Sequence, residues 1–198
     1  MRTILRSQTY QRASQPLPGN AAEKRFYSHY YPRRVMAEVA LDALSQVTGA
    51  PTEFKQAAER GPGTFAYPVG WRAMQLPDTN IDSYFLKSFG RPDRVITCEC
   101  ERTAAPSMSQ ALHIANGDTL NQKLKAKNNR VAQLLADKTP DGTIVEEVCL
   151  AALSRYPTAD EKSKLAALLA ESKDANRREA VEDLFWGILS SKEFLFNH

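Results

Sequence analysis

With 198 residues, 42% hydrophobic and 25% charged, the chain has the composition of an ordinary globular protein large enough to bury a real core. Its 26 basic and 23 acidic residues give +3; Arg33-Arg34 and Arg177-Arg178 are isolated pairs, and no lysine/arginine block marks a nucleic-acid surface. No apolar run approaches the roughly 20 residues of a membrane span, and the amino end, with two arginines but no apolar stretch, does not read as a signal peptide.

The first ten residues read as a helix already under way, which suggests a chain that begins inside a longer protein. Ser14–Asn20 is dense in turn formers, and the aromatic cluster Phe26–Tyr31 follows, closed by Pro32. A helix is expected from about Arg33 to Val47, with Val35, Val39, Ala43, Leu44 and Val47 on one face, Glu38, Asp42 and Ser45 opposite, and Gly49 as C-cap. Residues 50–79 are irregular: Trp71, Met74 and Leu76 are expected to pin this loop to the core, with residues 72–76 extended. A short helix over Ile81–Phe89 stops at Gly90 and Pro92, and Val95–Arg102 reads as extended. Helices are then expected over 106–115, with Ser107 a candidate cap, and near 118–125, 128–137, 142–155, 158–172 and 175–191. Thr158-Ala-Asp-Glu161 has the form of a capping box, and Val181, Leu184, Phe185, Ile188 and Leu189 mark the buried side of the last helix. The architecture is therefore mainly α: a multi-helix domain with a small extended or β element and a long irregular loop in the middle. It is read as a single domain over 1–198, divisible into a motif-rich part, 1–116, and a helical part, 117–198.

The densest chemistry lies in Phe89–Arg102, with Arg91, Arg94, Arg102, Glu99, Glu101 and the Cys98-x-Cys100 pair. On a strand, Cys98 and Cys100 face the same way, so they suit paired packing, a redox or disulfide role, or a metal. Zinc needs two further ligands, and His29, His113 and Cys149 do not stand at metal-site spacing, so no metal is assigned. Cys149, on an apolar helix side, reads as a small buried hydrophobe. The arginines around Glu99 and Glu101 read either as a salt-bridge network or as an anion- or sugar-binding surface, which Arg72 would join. Asp78, Glu99 and Glu101 are candidate acid/base carboxylates. His113, between Leu112 and Ile114, suits a satisfied structural histidine better than a catalytic one. Tyr27, Tyr30, Tyr31 and Trp71 fill a core or stack on sugar rings. There is no haem-attachment motif, P-loop, dinucleotide fingerprint or nucleophile elbow, so no cofactor is expected in this chain.

Several phrases carry a resemblance together: Tyr30-Tyr-Pro-Arg-Arg34, Ala37-Glu-Val39 through Gly49, Gln75-Leu-Pro-Asp78, Phe89-Gly-Arg-Pro92, Cys98-Glu-Cys-Glu-Arg102, Gln110-Ala-Leu-His113, Leu153-Ser-Arg155 with Pro157-Thr158, and Ser191–His198. In combination they resemble the planctomycete-specific C-terminal domain family of unknown function. The resemblance spans nearly the whole chain, with Lys55–Tyr67 looking like an insertion and the final Asn-His like a natural end. It implies the carboxy-terminal part of a long exported protein, in the periplasm or cell envelope, behind a cytochrome-c-like domain. Other domains of that parent or a haem-bearing partner, and a link to polysaccharide handling or electron transfer, are implied as well. It brings no established activity or catalytic residues.

The preferred expectation is a non-catalytic interaction or ligand-binding module whose main surface comprises Arg72, Asp78, Arg91 and residues 98–102. Two alternatives stand beside it. One is a carbohydrate-active enzyme using two of Asp78, Glu99 and Glu101; the other is a redox or metal accessory to a haem domain through Cys98 and Cys100.

Overall fold

A computed structural model describes residues 1–23, 25–57, 64–77, 81–92, 107–172 and 176–197. The fold is mainly α with a small β element, as the sequence suggests. Asp78, Arg94, Cys98, Glu99, Cys100, Glu101 and Arg102, and with them the expected Val95–Arg102 strand, lie outside the described residues.

The amino-terminal helix is a single turn, α1 (Arg2–Leu5). It buries no side chain, and Ser7 Oγ donates to the Ile4 carbonyl at 2.8 Å, so a local turn replaces the next helical bond. Arg33–Arg34, expected as a helix start, form strand β1. Helix α2 (Ala37–Thr48) begins beyond them and ends at Gly49, whose φ of 68° is the left-handed cap conformation. Its buried stripe is Ala37, Ala40, Leu41, Leu44, Val47 and Thr48, rotated from the expected face, and Glu38 lies on the buried side. The cause is a buried cation: Arg91 Nε stands 3.7 Å from Glu38 Oε1, with both side chains under 10% exposed (6% and 7%).

The irregular stretch contains an antiparallel hairpin, β2 (Lys55–Ala57) with β3 (Thr64–Ala66), and Gln56 also bridges to Ile81. Residues 73–75 form a 3-10 turn instead of an extended segment. The Asp42 carboxylate accepts the Ala73 and Met74 N–H groups at 2.6 and 3.2 Å, which holds that turn against α2. Leu76 is buried as expected, but Trp71 and Met74 are exposed and Ala73 takes the place in the core.

Helix α3 (Tyr84–Ser88) is capped by Ser83. The expected carboxy-terminal helices follow: α4 (Met108–Asn116), α5 (Asp118–Lys125), α6 (Arg130–Ala136), α7 (Asp141–Leu153), α8 (Ala159–Glu171) and α9 (Arg177–Leu189). Ser107 caps α4 and Thr158 caps α8, each in a reciprocal box with Gln110 and Glu161. A short turn, α10 (Lys192–Leu195), leads into β4 (Phe196–Asn197), which pairs antiparallel with β1, Arg33 opposite Asn197 and Arg34 opposite Phe196.

One apolar cluster runs from Ala37 to Leu189. α2 packs on α3, α5, α6 and α7, while α9 closes against α5, α6, α7 and α8. Val181, Leu184, Phe185 and Leu189 are buried on α9, Ile188 is half-buried, and Cys149 is a buried free thiol. No helix of the described residues is long and apolar enough to cross a membrane.

Candidate functional site

The β1–β4 pair joins phrases far apart in sequence: residues 30–34 meet the chain's last turn. Successive strand residues face opposite ways, and β1 sends Arg33 and Arg34 to different cavities. Arg34 Nη2 donates to the Phe89 carbonyl at 2.8 Å, and its guanidinium lies 5.4 Å from the Phe89 ring centre. Gly90, at φ 80°, supplies the left-handed step that lets the Arg91 N–H reach back to the Leu86 carbonyl at 2.9 Å. Phe89 stacks on Phe85 with ring centres 4.1 Å apart. From α4, Gln110 Nε2 donates to the Ser88 carbonyl at 2.9 Å. The Phe89-Gly-Arg-Pro segment is thus held by β1, α2 and α4 together.

Between the strand pair, α4 and the α9–α10 corner lies a groove of about 420 Å³. Phe89, Ile114, Trp186 and Leu195 are among its apolar walls, while Arg34 and Lys192 add positive charge. Trp186 is fixed across it by an indole N–H bond to the Ala115 carbonyl at 3.3 Å. A smaller cavity of about 170 Å³, on the Arg33 side, is framed by the amino-terminal loop and the tyrosine cluster. The Phe26–Tyr31 aromatics stand outside the apolar core, so they do not fill it.

Of the predicted site residues within the described parts, Arg91 and His113 converge on the Phe89 segment, Arg91 through Glu38 and His113 through ring packing. His113 Nε2 is 3.0 Å from Thr119 Oγ1, and its ring centre lies 5.1 Å from Tyr84 and 5.7 Å from Phe85. Burial holds its pKa below the ordinary histidine value, against an opposing pull from Asp118. Arg72 is exposed at the start of the 3-10 turn, where its backbone N–H donates to Gln75 Oε1 at 2.9 Å; it belongs to the turn that Asp42 holds against the middle of α2, not to the Phe89 cluster.

Sequence reasoning missed Arg34, Gln110, Trp186 and Lys192. Their common signal is in three dimensions, since the β1–β4 pairing of two-residue strands has no periodicity to read. It also missed Lys123, a buried ammonium that donates to the Ala50 carbonyl and the Thr52 and Ser45 hydroxyls at 2.7, 2.8 and 3.0 Å. Burial pushes it down to about 8. With all three donors engaged, it ties α5 to the loop after α2 and offers no hydrogen to a substrate. No group of three or more histidine, cysteine, aspartate or glutamate side chains is gathered as a metal site among the described residues.

Fold and site together define a helical module with a cation-flanked apolar groove and internally engaged polar motifs. The chain belongs to a family described as a protein of unknown function (DUF1553), whose model matches residues 1–169. The groove's contributions from α9, α10 and β4 fall beyond that match. No curated protein and no solved structure matches the chain.

Proposed function

We propose that this chain is a non-catalytic binding module of a cell-envelope protein, and that the groove beside the β1–β4 pair is its docking surface. The envelope setting, and a place behind a haem-bearing domain at the end of a longer exported protein, rest on the motif resemblance alone. The observation that carries the binding role is the make-up of the groove: the apolar walls Phe89, Ile114, Trp186 and Leu195 are flanked by the cationic residues Arg34 and Lys192. Arg91, Gln110 and His113 are engaged with Glu38, the Ser88 carbonyl and Thr119 and brace the Phe89 segment that forms one wall. Such a groove suits an extended apolar peptide segment bearing a carboxylate, held by burial with charge setting its direction. The surface centres on Arg34 and Phe89 and leaves Arg72 aside.

Trp186 lines the groove and reports on it directly. In a Trp71→Phe background, extended apolar peptides ending in a free carboxylate are expected to shift Trp186 emission saturably, and Ala111→Phe, which fills the groove without adding an emitter, to abolish the shift. Unchanged emission across a peptide panel would overturn the docking surface. Glycosidic cleavage by the purified chain would overturn the non-catalytic reading and restore the carboxylate enzyme as the better account.

A further inference from the structure

On the other side of β1, the small cavity is lined by Arg12, Tyr27, His29, Tyr30, Tyr31 and Arg33. His29 is only 8% exposed, and its Nδ1 is a buried polar atom with no hydrogen-bond partner among the described residues. A buried imidazole nitrogen without a partner is costly, and such groups recur where a ligand completes the bonding. The ring is not loose: Tyr31 packs edge-on against it with centres 4.5 Å apart. Around it the frame is tied down. The Arg12 guanidinium donates to the Tyr27 carbonyl, the Tyr31 hydroxyl donates to the Glu23 carbonyl, and the Tyr30 N–H donates to the Ala13 carbonyl at 3.0 Å. Tyr27 itself adopts a φ of 51°, a left-handed conformation that a bulky residue reaches only when its surroundings impose it.

The charge of the lining is one-sided. Two arginines, Arg12 and Arg33, line the cavity, and no aspartate or glutamate is among its described lining residues. The nearby Glu23 carboxylate is already taken, accepting the backbone N–H groups of Arg25, Phe26 and Ser28 and the Ser28 hydroxyl. Donors therefore come from three separate pieces of chain: the amino-terminal loop, the aromatic cluster and β1. That spread suits a tetrahedral anion better than a planar one. At about 170 Å³ the space is well below that of a whole-ligand pocket, and it fits one charged group while the exposed Tyr27 ring flanks it.

We propose that this cavity is an oxyanion site, taking a phosphate or sulfate group, with His29 Nδ1–H and the Arg12 and Arg33 guanidinium groups as donors. It is independent of the groove on the Arg34 side, so either can fail without the other. The test uses the full chain at constant ionic strength, replacing sodium chloride with sodium phosphate or sodium sulfate. The expected result is a saturable rise in Tm and a displaced His29 Nδ1 resonance in nitrogen-15 spectra. Arg33→Gln, whose backbone pairing with Asn197 stays available, is expected to weaken the apparent Kd by at least about tenfold with unchanged circular dichroism. His29→Gln provides a second variant should Arg33→Gln misfold. Phenyl phosphate distinguishes the sources: tighter binding than inorganic phosphate means an ester that presents a ring to Tyr27, and equal binding means the free anion. The proposal is overturned if chloride stabilises equally, if the His29 resonance does not move, or if a folded Arg33→Gln responds like the parent chain.

Discussion

Arg155 closes a two-bond fork on Glu161, its Nη1 and Nη2 donating to the two carboxylate oxygens at 2.9 and 3.0 Å. The same guanidinium reaches Glu193 through Nε and Nη2 at 2.5 and 2.9 Å. It sits just after Ser154, whose φ of 57° ends α7, and so it ties the start of α8 to α10. Lysine carries the charge but not the planar fork. Arg155→Lys is expected to lower stability by about 1 kcal/mol, a modest figure because the pair is solvent-screened. Urea titration checks it, and an unchanged midpoint would show that the fork is ornamental to the fold.

The same fork predicts an acid effect. The Arg155 hydrogen bonds, followed by the Thr158 backbone bond, bring the Glu161 carboxyl from 4.5 down to about 2. Its contribution is then complete above 4.5 and is lost as pH falls toward about 2. Between those values the parent chain is expected to lose stability more steeply than Glu161→Gln. Parallel slopes in urea titrations across that window would refute the shift.

Asn129 is fully buried and serves two helices at once. Its Oδ1 accepts the Ala132 N–H at 2.9 Å as the α6 cap, while Nδ2 donates to the Lys123 and Leu124 carbonyls at 3.0 and 2.5 Å, at the end of α5. Asn129→Ala removes the cap and strands buried carbonyls, so a loss of roughly 2–3 kcal/mol is expected. Asn129→Asp keeps the acceptor but not the donors, and is expected to lose nearly as much. A mild aspartate variant would mean that the α5 carbonyls do not depend on this residue.

Lys123 gives the alkaline counterpart. Its folded value of about 8 lies below the ordinary 10.5 because it is buried. Between those values the folded chain has released a proton that the unfolded chain keeps, so stability contributed by this group rises with pH, by at most about 1.4 kcal/mol per unit. Lys123→Met is expected to cost roughly 2 kcal/mol at neutral pH, since the Ala50 carbonyl and two hydroxyls lose their donor. Above pH 8 the gap between parent and variant is expected to widen. A gap that narrows would show that the ammonium is not destabilised by burial.

The helices from α4 onward were legible because local signals agreed: Ser107, Thr158 and the apolar stripe of α9 each point to the observed element. Arg33–Arg34 misled because residues next to a strong helical period extend it on paper, while their pairing partner, Phe196–Asn197, stands more than 150 residues away in sequence. Glu38 misled for a related reason. A carboxylate on a helix reads as solvated until its buried counter-charge, Arg91, is placed beside it. Asp42 turned an expected extended segment into a 3-10 turn by accepting two backbone N–H groups. Of the candidate site, Arg91 and His113 were found as residues, but their roles depend on contacts with Glu38 and Thr119 that no spacing rule encodes. His29 reads from the sequence as a metal-ligand candidate without the right spacing, and its unpartnered nitrogen is a property of packing.

Two glycines separate space from propensity. A Cβ at Gly117 would fall 2.2 Å from the His113 carbonyl oxygen and 2.6 Å from His113 Nδ1, whereas one at Gly187 meets nothing within 4 Å. Gly117 stands at the α4–α5 junction, where its N–H donates to that same His113 carbonyl at 2.8 Å. Its backbone φ of −76° is ordinary, so the constraint is room alone. Gly117→Ala must push α4 and α5 apart and is expected to cost more than about 2 kcal/mol. Adding His113→Ala is expected not to rescue it, because the nearer obstacle is the carbonyl, not the ring. Gly187→Ala, inside α9 with open space around it, is expected to raise stability by up to about 1 kcal/mol through helix propensity. One urea series on the four proteins decides the matter. Rescue by His113→Ala would mean that the α4–α5 corner is set by the imidazole, and that His113 is held there by space as much as by Thr119.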